Sequence, residues 1–196
     1  MKKLLFVSLL FVAGWFYFHK TPAAWRGLPA GHDPVQTTTA LPSPFACGDY
    51  TITPLANYQI KAVVLSRERY RNDRGAELAP LDLALGWGPM STASVINDLN
   101  ISQSGRWYEY SWSGEPPLDP ELIATHSANT HCLPADSDVR RRLLAIKRHD
   151  LVTLQGYLVE ITAADGYRWR SSLTRTDTGG GACEVFWIIS VEDAHP

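Results

Sequence analysis

The residues best suited to chemistry are Cys183 and the polar segment HSANTHCLP at His126–Pro134. A cysteine becomes a nucleophile when a neighbouring histidine accepts the thiol proton and a third group orients the imidazole. Cys183 as nucleophile, His131 or His126 as base, and Asn129 as orienting group therefore predict a small cysteine-dependent hydrolase. No local signature of a known class of cysteine hydrolase surrounds these residues.

The cysteines also predict a disulfide, because bridges form readily in proteins outside the cytoplasm. A Cys132–Cys183 bridge would close a loop of about 50 residues and stabilise the fold by roughly 4 kcal/mol. Cys47–Cys183 is the competing pair. On the last predicted strand Cys183 shares an apolar face with Val185 and Trp187, which is typical of a buried or bridged cysteine. The sequence leaves open whether the chain is an enzyme.

We predict no metal and no cofactor. His126 and His131 are five residues apart, which places them on opposite faces of a strand or about 140° apart on a helix. The sequence contains no phosphate-binding loop, dinucleotide fingerprint or GxSxG motif.

Aromatic residues at unusual positions predict a binding surface as a further function. Trp87 lies between two glycines in LALGWGPM, and RWYEYSW places rings on both faces of a strand, including Trp107 and Tyr108. Rings of this kind line carbohydrate-binding grooves, and Arg168 and Arg170 of the strand YRWR would supply polar contacts. In the alternative interpretation these are packing residues, and Trp87 covers the core.

The elements that must position these groups are mainly strands. Alternating or continuous apolar segments predict strands near residues 58–65, 81–86, 106–112, 150–161, 167–170 and 183–191. Gly156 interrupts one of them and predicts a bulge or bend. Asp136 or Ser137 caps a helix that ends near Arg148. The pattern predicts a mainly β fold with small helices, a partly open OB-like or SH3-like barrel.

The N-terminus predicts membrane attachment. Lys2 and Lys3 precede an uncharged, almost wholly apolar run at Leu4–Phe18, which favours an anchor at 1–20 over a cleaved signal peptide. Five prolines between 21 and 46 predict a linker, and 47–196 forms one β-rich domain. Because the lysines favour the cytoplasmic side, we expect a single-pass inner-membrane protein whose domain faces the periplasm.

Charge excludes one class of partner. From Phe45 onward the chain carries 14 Lys and Arg against 19 Asp and Glu, a net charge of −5. Nucleic-acid binding needs a basic surface, so the expected partners are the membrane and an envelope protein or the cell wall.

Six motifs between Tyr58 and Glu192 carry a resemblance: LALGWGPMS, ISQSGRWYEY, HSANTH, GYLVEI, WRSSLTR and GACE. On these motifs the chain resembles a family of bacterial envelope proteins with a single N-terminal anchor and no established activity. The resemblance implies an intact domain in the bacterial envelope, and our leading prediction for this domain is a binding or assembly role there. It implies no reaction.

Overall fold

Short and long strands dominate the computed structural model, which describes residues 25–194. The strands are β1 (Val35–Thr37), β2 (Phe45–Cys47), β3 (Tyr50–Arg69), β4 (Leu81–Gly86), β5 (Asn100–Ser104), β6 (Trp107–Ser111), β7 (Ser127–Pro134), β8 (Leu151–Ala163), β9 (Arg168–Arg170) and β10 (Glu184–Ala194). The helices are α1 (Ala93–Asp98), α2 (Pro120–Thr125) and α3 (Ser137–Ala145), with 3-10 turns at Arg74–Glu77 and Gly88–Ser91. The predicted mainly β fold with small helices is confirmed.

Five strands close into a ring in the order β3–β4–β7–β10–β8, and β8 pairs back with β3. All pairings in the ring are antiparallel except β7–β10, which is parallel. Because successive side chains of a strand point to opposite faces, the ring has an inner face and an outer face.

The inner face is the main hydrophobic core. Its members are almost completely buried, and they include Tyr58, Ile60, Leu83, Leu85, Trp87, Cys132, Leu154, Phe186 and Ile188. Burying one large aliphatic or aromatic side chain stabilises a fold by about 1.5–3 kcal/mol. This face therefore holds the ring together and fixes the register of the strands that carry the outer face.

Gly156 lies where β8 closely approaches β10. It pairs with Tyr58 on β3 and with Ile188 on β10. A Cβ atom at this position would lie 1.9 Å from the carbonyl oxygen of Trp187. The register of β8 and β10 shifts just beyond, between Ile188 and Ser190. The predicted irregularity at this glycine is confirmed.

Helix α3 connects β7 to β8 and begins as predicted. The carboxylate of Asp136 accepts hydrogen bonds from the backbone N–H groups of Asp138 and Val139, which caps the helix. Val139 and Leu143 then pack on the inner core. The helix is shorter than predicted, since it ends at Ala145.

The predicted linker at 21–46 is corrected in its described part. Val35–Thr37 forms β1 and pairs with β3, and the side chain of Ala30 is buried. Ser91 Oγ accepts a hydrogen bond from the backbone N–H of Ala30 at 2.8 Å. Some backbone hydrogen-bonding groups of this proline-rich segment therefore have partners in the domain. The predicted anchor at 1–20 lies outside the described residues, and no helix among those described is long and apolar enough to cross a membrane.

Candidate active site

Three neighbouring strands of the ring bring four polar side chains onto the outer face. Asp82 on β4 pairs directly with His131 on β7, and His131 pairs with Val185 on β10. Residues paired in this way share a face, as do residues two apart on one strand. Asn129 and Cys183 therefore lie on the same face as Asp82 and His131, although Cys183 comes one residue before β10.

Asp82 is the buried carboxylate of this group and contacts His131. Its carboxylate is inaccessible to solvent, and Oδ2 lies 2.9 Å from Nδ1 of His131. The two atoms meet at ion-pair distance without the alignment of a straight hydrogen bond. Contacts of this kind in ligand-free sites commonly tighten when a substrate binds. A proton held on Nδ1 leaves Nε2 as the basic nitrogen of the ring.

Arg106 neutralises the other oxygen of Asp82. Its Nη1 atom lies 2.7 Å from Oδ1 of Asp82, and Nη2 lies 2.8 Å from Asp73. Arg106 sits at the tip of the β5–β6 hairpin, where both it and Gly105 have positive φ angles of 71° and 56°. Such a two-residue turn is typical of tight hairpins. The hairpin thereby delivers one guanidinium group to the buried carboxylate.

The thiol of Cys183 lies near His131 on the outer face and, with Asp82, acts on the charge of the imidazole. Burial opposes protonation of the imidazole, but attraction to Asp82 and Cys183 outweighs it and raises the pKa of His131 above its ordinary value of 6.5. The ring of Trp169 lies over His131 with 4.6 Å between centroids. The imidazole thus lies among a carboxylate, a thiol and an indole.

Asn129 completes the group from the same strand as His131. Its Nδ2 atom donates to Sγ of Cys183 at 3.7 Å and to the carbonyl oxygen of Arg106 at 3.1 Å. Gln103 Nε2 donates to Oδ1 of Asn129 at 2.7 Å. The amide orientation is therefore set, with Nδ2 directed toward the thiol and the carbonyl oxygen of Arg106.

Cys183 opens into a cavity of about 230 Å³. The cavity lies between the β5–β6 hairpin, the start of β7 and the glycine-rich loop that precedes Cys183. Six of its lining residues bear on the chemistry: Trp107, Tyr108, Tyr110, Asn129, Asp177 and Cys183. A partly accessible thiol beside a buried imidazole at the wall of a cavity is the arrangement that nucleophilic catalysis requires.

The predicted disulfide is wrong. All three cysteines are free, and Cys132 is fully buried on the inner face. Phe186 on β10 is the residue paired with Cys132, and Cys183 lies three positions before it. An odd spacing places Cys132 and Cys183 on opposite faces of the sheet. Cys183 was also expected to face the core, and it faces the cavity instead.

Two other predicted site residues lie elsewhere. His126 follows helix α2, where its Nδ1 atom is 3.0 Å from the carbonyl oxygen of Leu122, and its ring packs against Gly88. Of the two candidate bases, the structure brings only His131 to Cys183. Trp87 is 1% exposed and covers the inner core, so it is not part of a binding surface.

The remaining predicted binding residues divide between two places. Trp107 and Tyr108 line the cavity, and Trp107 is 49% exposed. Arg168 and Arg170 lie on exposed β9, and both form ion pairs with Glu160. Arg168 also lines a second cavity of about 500 Å³ on the other side of His131.

Asp82 and Arg106 are the functional residues that sequence reasoning missed. A signal was present: Asp82 is the only polar residue in the run LDLALG, and a carboxylate in a wholly buried strand needs partners. Asn129 was expected to orient His131, whereas Asp82 does so and Asn129 contacts the thiol.

Comparisons with known proteins assign this chain to no family. The chain matches no protein-family model, no curated protein and no solved structure.

Proposed function

We propose that the chain is a cysteine-dependent acyl-transfer enzyme, a small hydrolase of amides or esters. Cys183 is the nucleophile, His131 the general base and acid, Asp82 the group that orients His131, and Asn129 a donor to the developing oxyanion. The proposal rests on one observation: Asp82 on β4, His131 on β7 and Cys183 just before β10 share the outer face, and the thiol of Cys183 lines a cavity.

The reaction follows from these positions. His131 accepts the thiol proton, and the sulfur of Cys183 forms a bond to the substrate carbonyl carbon. The carbonyl oxygen becomes an oxyanion, which accepts a hydrogen bond from Nδ2 of Asn129. The bond to the leaving nitrogen or oxygen breaks, and His131 returns its proton to that group. Water, deprotonated by His131, then cleaves the thioester and releases the acid.

Asp82 supports each step through charge. A carboxylate beside the imidazole stabilises the imidazolium that forms when His131 accepts the thiol proton. Arg106 keeps this carboxylate in place and compensates its burial, since an unpaired buried charge would be costly. The site therefore resembles the cysteine–histidine–carboxylate arrangement found on unrelated folds.

The test is acylation of Cys183 by p-nitrophenyl acetate. The wild type is expected to release a burst of p-nitrophenol equivalent to the enzyme, and mass spectrometry is expected to find an acetyl group on the Cys183 peptide. Cys132→Ala is the matched control, because it removes a thiol from the inner face of the neighbouring strand.

A wild type that shows neither burst nor acyl adduct would overturn the enzyme proposal. So would an equal burst from Cys183→Ala. Thermal unfolding of each variant separates loss of chemistry from loss of fold.

A second candidate function is binding of a cell-wall carbohydrate. It is favoured by the exposed ring of Trp107, which stands at the cavity beside Tyr108. Sedimentation with purified peptidoglycan tests it: the wild type is expected in the pellet and Trp107→Ala in the supernatant. Binding that survives in Cys183→Ala would indicate an envelope binding or assembly role without catalysis.

We infer two further points from the sequence pattern and the strand order. The closed five-strand ring, its one parallel pair and the helix between β7 and β8 favour an OB-like over an SH3-like barrel. The N-terminal segment holds the domain on the periplasmic side of the inner membrane. Alkaline phosphatase fused after Pro196 should be active there, and an inactive fusion would contradict this orientation.

A further inference from the structure

The cavity beside Cys183 has a marked chemical character. Three aromatic rings line it, from Trp107, Tyr108 and Tyr110, together with one carboxylate, Asp177. No lysine, arginine or histidine is among the lining residues in the described chain. Its volume of about 230 Å³ suits a group the size of an amino-acid side chain.

Asp177 is held in place by a hydrogen bond but forms no ion pair in the described part of the chain. Its Oδ2 atom accepts a hydrogen bond from Oγ of Ser172 at 2.6 Å, and Ser172 is buried. Within residues 25–194, no basic side chain lies at ion-pair distance from it. The basic residue nearest in sequence, Arg175, forms its ion pair with Glu184. Arg106, which precedes the cavity residue Trp107, is held by Asp73 and Asp82.

Both features favour a cation. A carboxylate attracts a positive charge directly, and the faces of tryptophan and tyrosine rings attract it through their quadrupoles. A carboxylate on the substrate would meet repulsion from Asp177 with no basic group to offset it. The cavity opens at the Cys183 thiol, so the cation bound there belongs to the acyl part next to the reacting carbonyl.

We propose that the acyl group recognised by this enzyme carries a primary amine or another small cation, and that Asp177 determines this specificity. The proposal rests on the function proposed above. Its tests are chosen so that either one can fail without the other.

The first test measures alkylation of Cys183 and needs no turnover. Three reagents of similar size are compared: 2-bromoethylamine as the cation, iodoacetamide as the neutral compound, and iodoacetate as the anion. In each reaction the sulfur forms a bond to carbon and the halide leaves. Each rate at the Cys183 peptide is divided by the rate for N-acetylcysteine in the same buffer.

Replacing Asp177 is expected to change the charge preference and little else. In Asp177→Asn the normalised ratio of the cationic to the anionic rate should fall by about tenfold or more, as for the loss of one partly desolvated charge pair. Asp177→Glu should keep most of the preference. Glu109→Gln is the matched control, since it removes one exposed carboxylate from β6 outside the cavity. Equal ratios in wild type and Asp177→Asn would overturn the proposal.

The second test uses matched p-nitrophenyl esters of 6-aminohexanoic, hexanoic and adipic acid. The wild type should hydrolyse the amino ester with the highest kcat/KM, and Asp177→Asn should lose this preference. If hydrolysis depends on Cys183 but the three esters react equally well, the specificity proposal is wrong and the enzyme proposal stands. If alkylation of Cys183 prefers the cationic reagent but no ester is hydrolysed through Cys183, the enzyme proposal is wrong and the charge preference of the cavity stands.

Discussion

Cys132 and Cys183 lie on neighbouring strands of one ring and face opposite sides of it. Cys132 points into the inner core, where burial raises the pKa of its thiol well above the ordinary value. Cys183 points to the outer face, where it meets an imidazole, a carboxamide and a cavity. The same side chain is thus a packing group on one face and a candidate nucleophile on the other.

This difference teaches how the ring separates stability from chemistry. The inner face is filled with apolar side chains that fix the register of β4, β7 and β10. Register in turn fixes which residues meet on the outer face, because a shift of one position would reverse every side chain. The inner core therefore acts as the positioning device for Asp82, His131 and Cys183.

The largest expected effect tests the two cysteines against each other. Cys183→Ala should lower kcat/KM by roughly 10,000-fold or more, since the nucleophile is lost. Cys132→Ala should leave kcat/KM within about twofold and instead lower the free energy of unfolding by about 1 kcal/mol, because buried volume is lost. Ester hydrolysis and urea unfolding measure the two effects.

Thiol labelling provides an independent check of the same contrast. Native protein should react with iodoacetamide at Cys183 and not at Cys132, while denatured protein should present three thiols. Rapid native labelling of Cys132, or only one thiol after denaturation, would show that the two faces are not separated in this way.

Asp82→Asn should have the next largest effect. The amide cannot stabilise an imidazolium at His131 as a carboxylate does, so kcat/KM should fall by roughly 100- to 10,000-fold. The variant also leaves the Nη1 atom of Arg106 facing a neutral group, which should cost about 1–3 kcal/mol of stability.

Asp73→Asn is the matched control for Arg106. It removes an exposed partner of the same guanidinium group without touching His131, so stability should change little and kcat/KM should remain near wild type. An equal loss of activity in both variants would mean that the hairpin position matters and the imidazole–carboxylate contact does not.

Asn129→Ala ranks third. Loss of one oxyanion donor commonly costs about 100-fold in kcat with little change in KM. Gln103→Ala should have a smaller effect in the same direction, because Gln103 orients the amide without contacting the thiol. Steady-state kinetics on the ester substrates measures both. A change confined to KM would assign Asn129 to binding rather than to the oxyanion.

The inner face could be predicted well from the sequence, and the outer face only in part. Strand β10 and the Asp136 cap follow from local patterns, since apolar alternation and helix capping are local properties. The ring order could not be predicted, because the closing pairs join residues that are far apart in sequence, by about one hundred positions in β3–β8 and about fifty in β7–β10.

Strand β7 shows why the site was only half visible. Its outward residues Ser127, Asn129 and His131 are polar because they serve the site, and they alternate with small inward residues such as Ala128. The inward residues are therefore only weakly apolar, and the sequence pattern of this segment does not predict a strand. Without β7, Asp82 and His131 could not be recognised as partners, since their contact depends on register alone.

The smallest expected effect is on the pH dependence of stability, and it compares two histidines. The pKa of His131 is raised, because attraction to Asp82 and Cys183 outweighs burial, whereas burial and then Arg148 lower the pKa of His149. Protonation thus stabilises the folded state at His131 and destabilises it at His149. The stabilisation from His131 is complete below the ordinary pKa of 6.5 and is lost as the pH rises through the raised value.

The gap in unfolding free energy between wild type and His131→Gln should therefore widen from pH 8 to pH 5, and the gap for His149→Gln should narrow, as urea unfolding would measure. Parallel curves for both variants would show that the contact between His131 and Asp82 is not that of a charged pair.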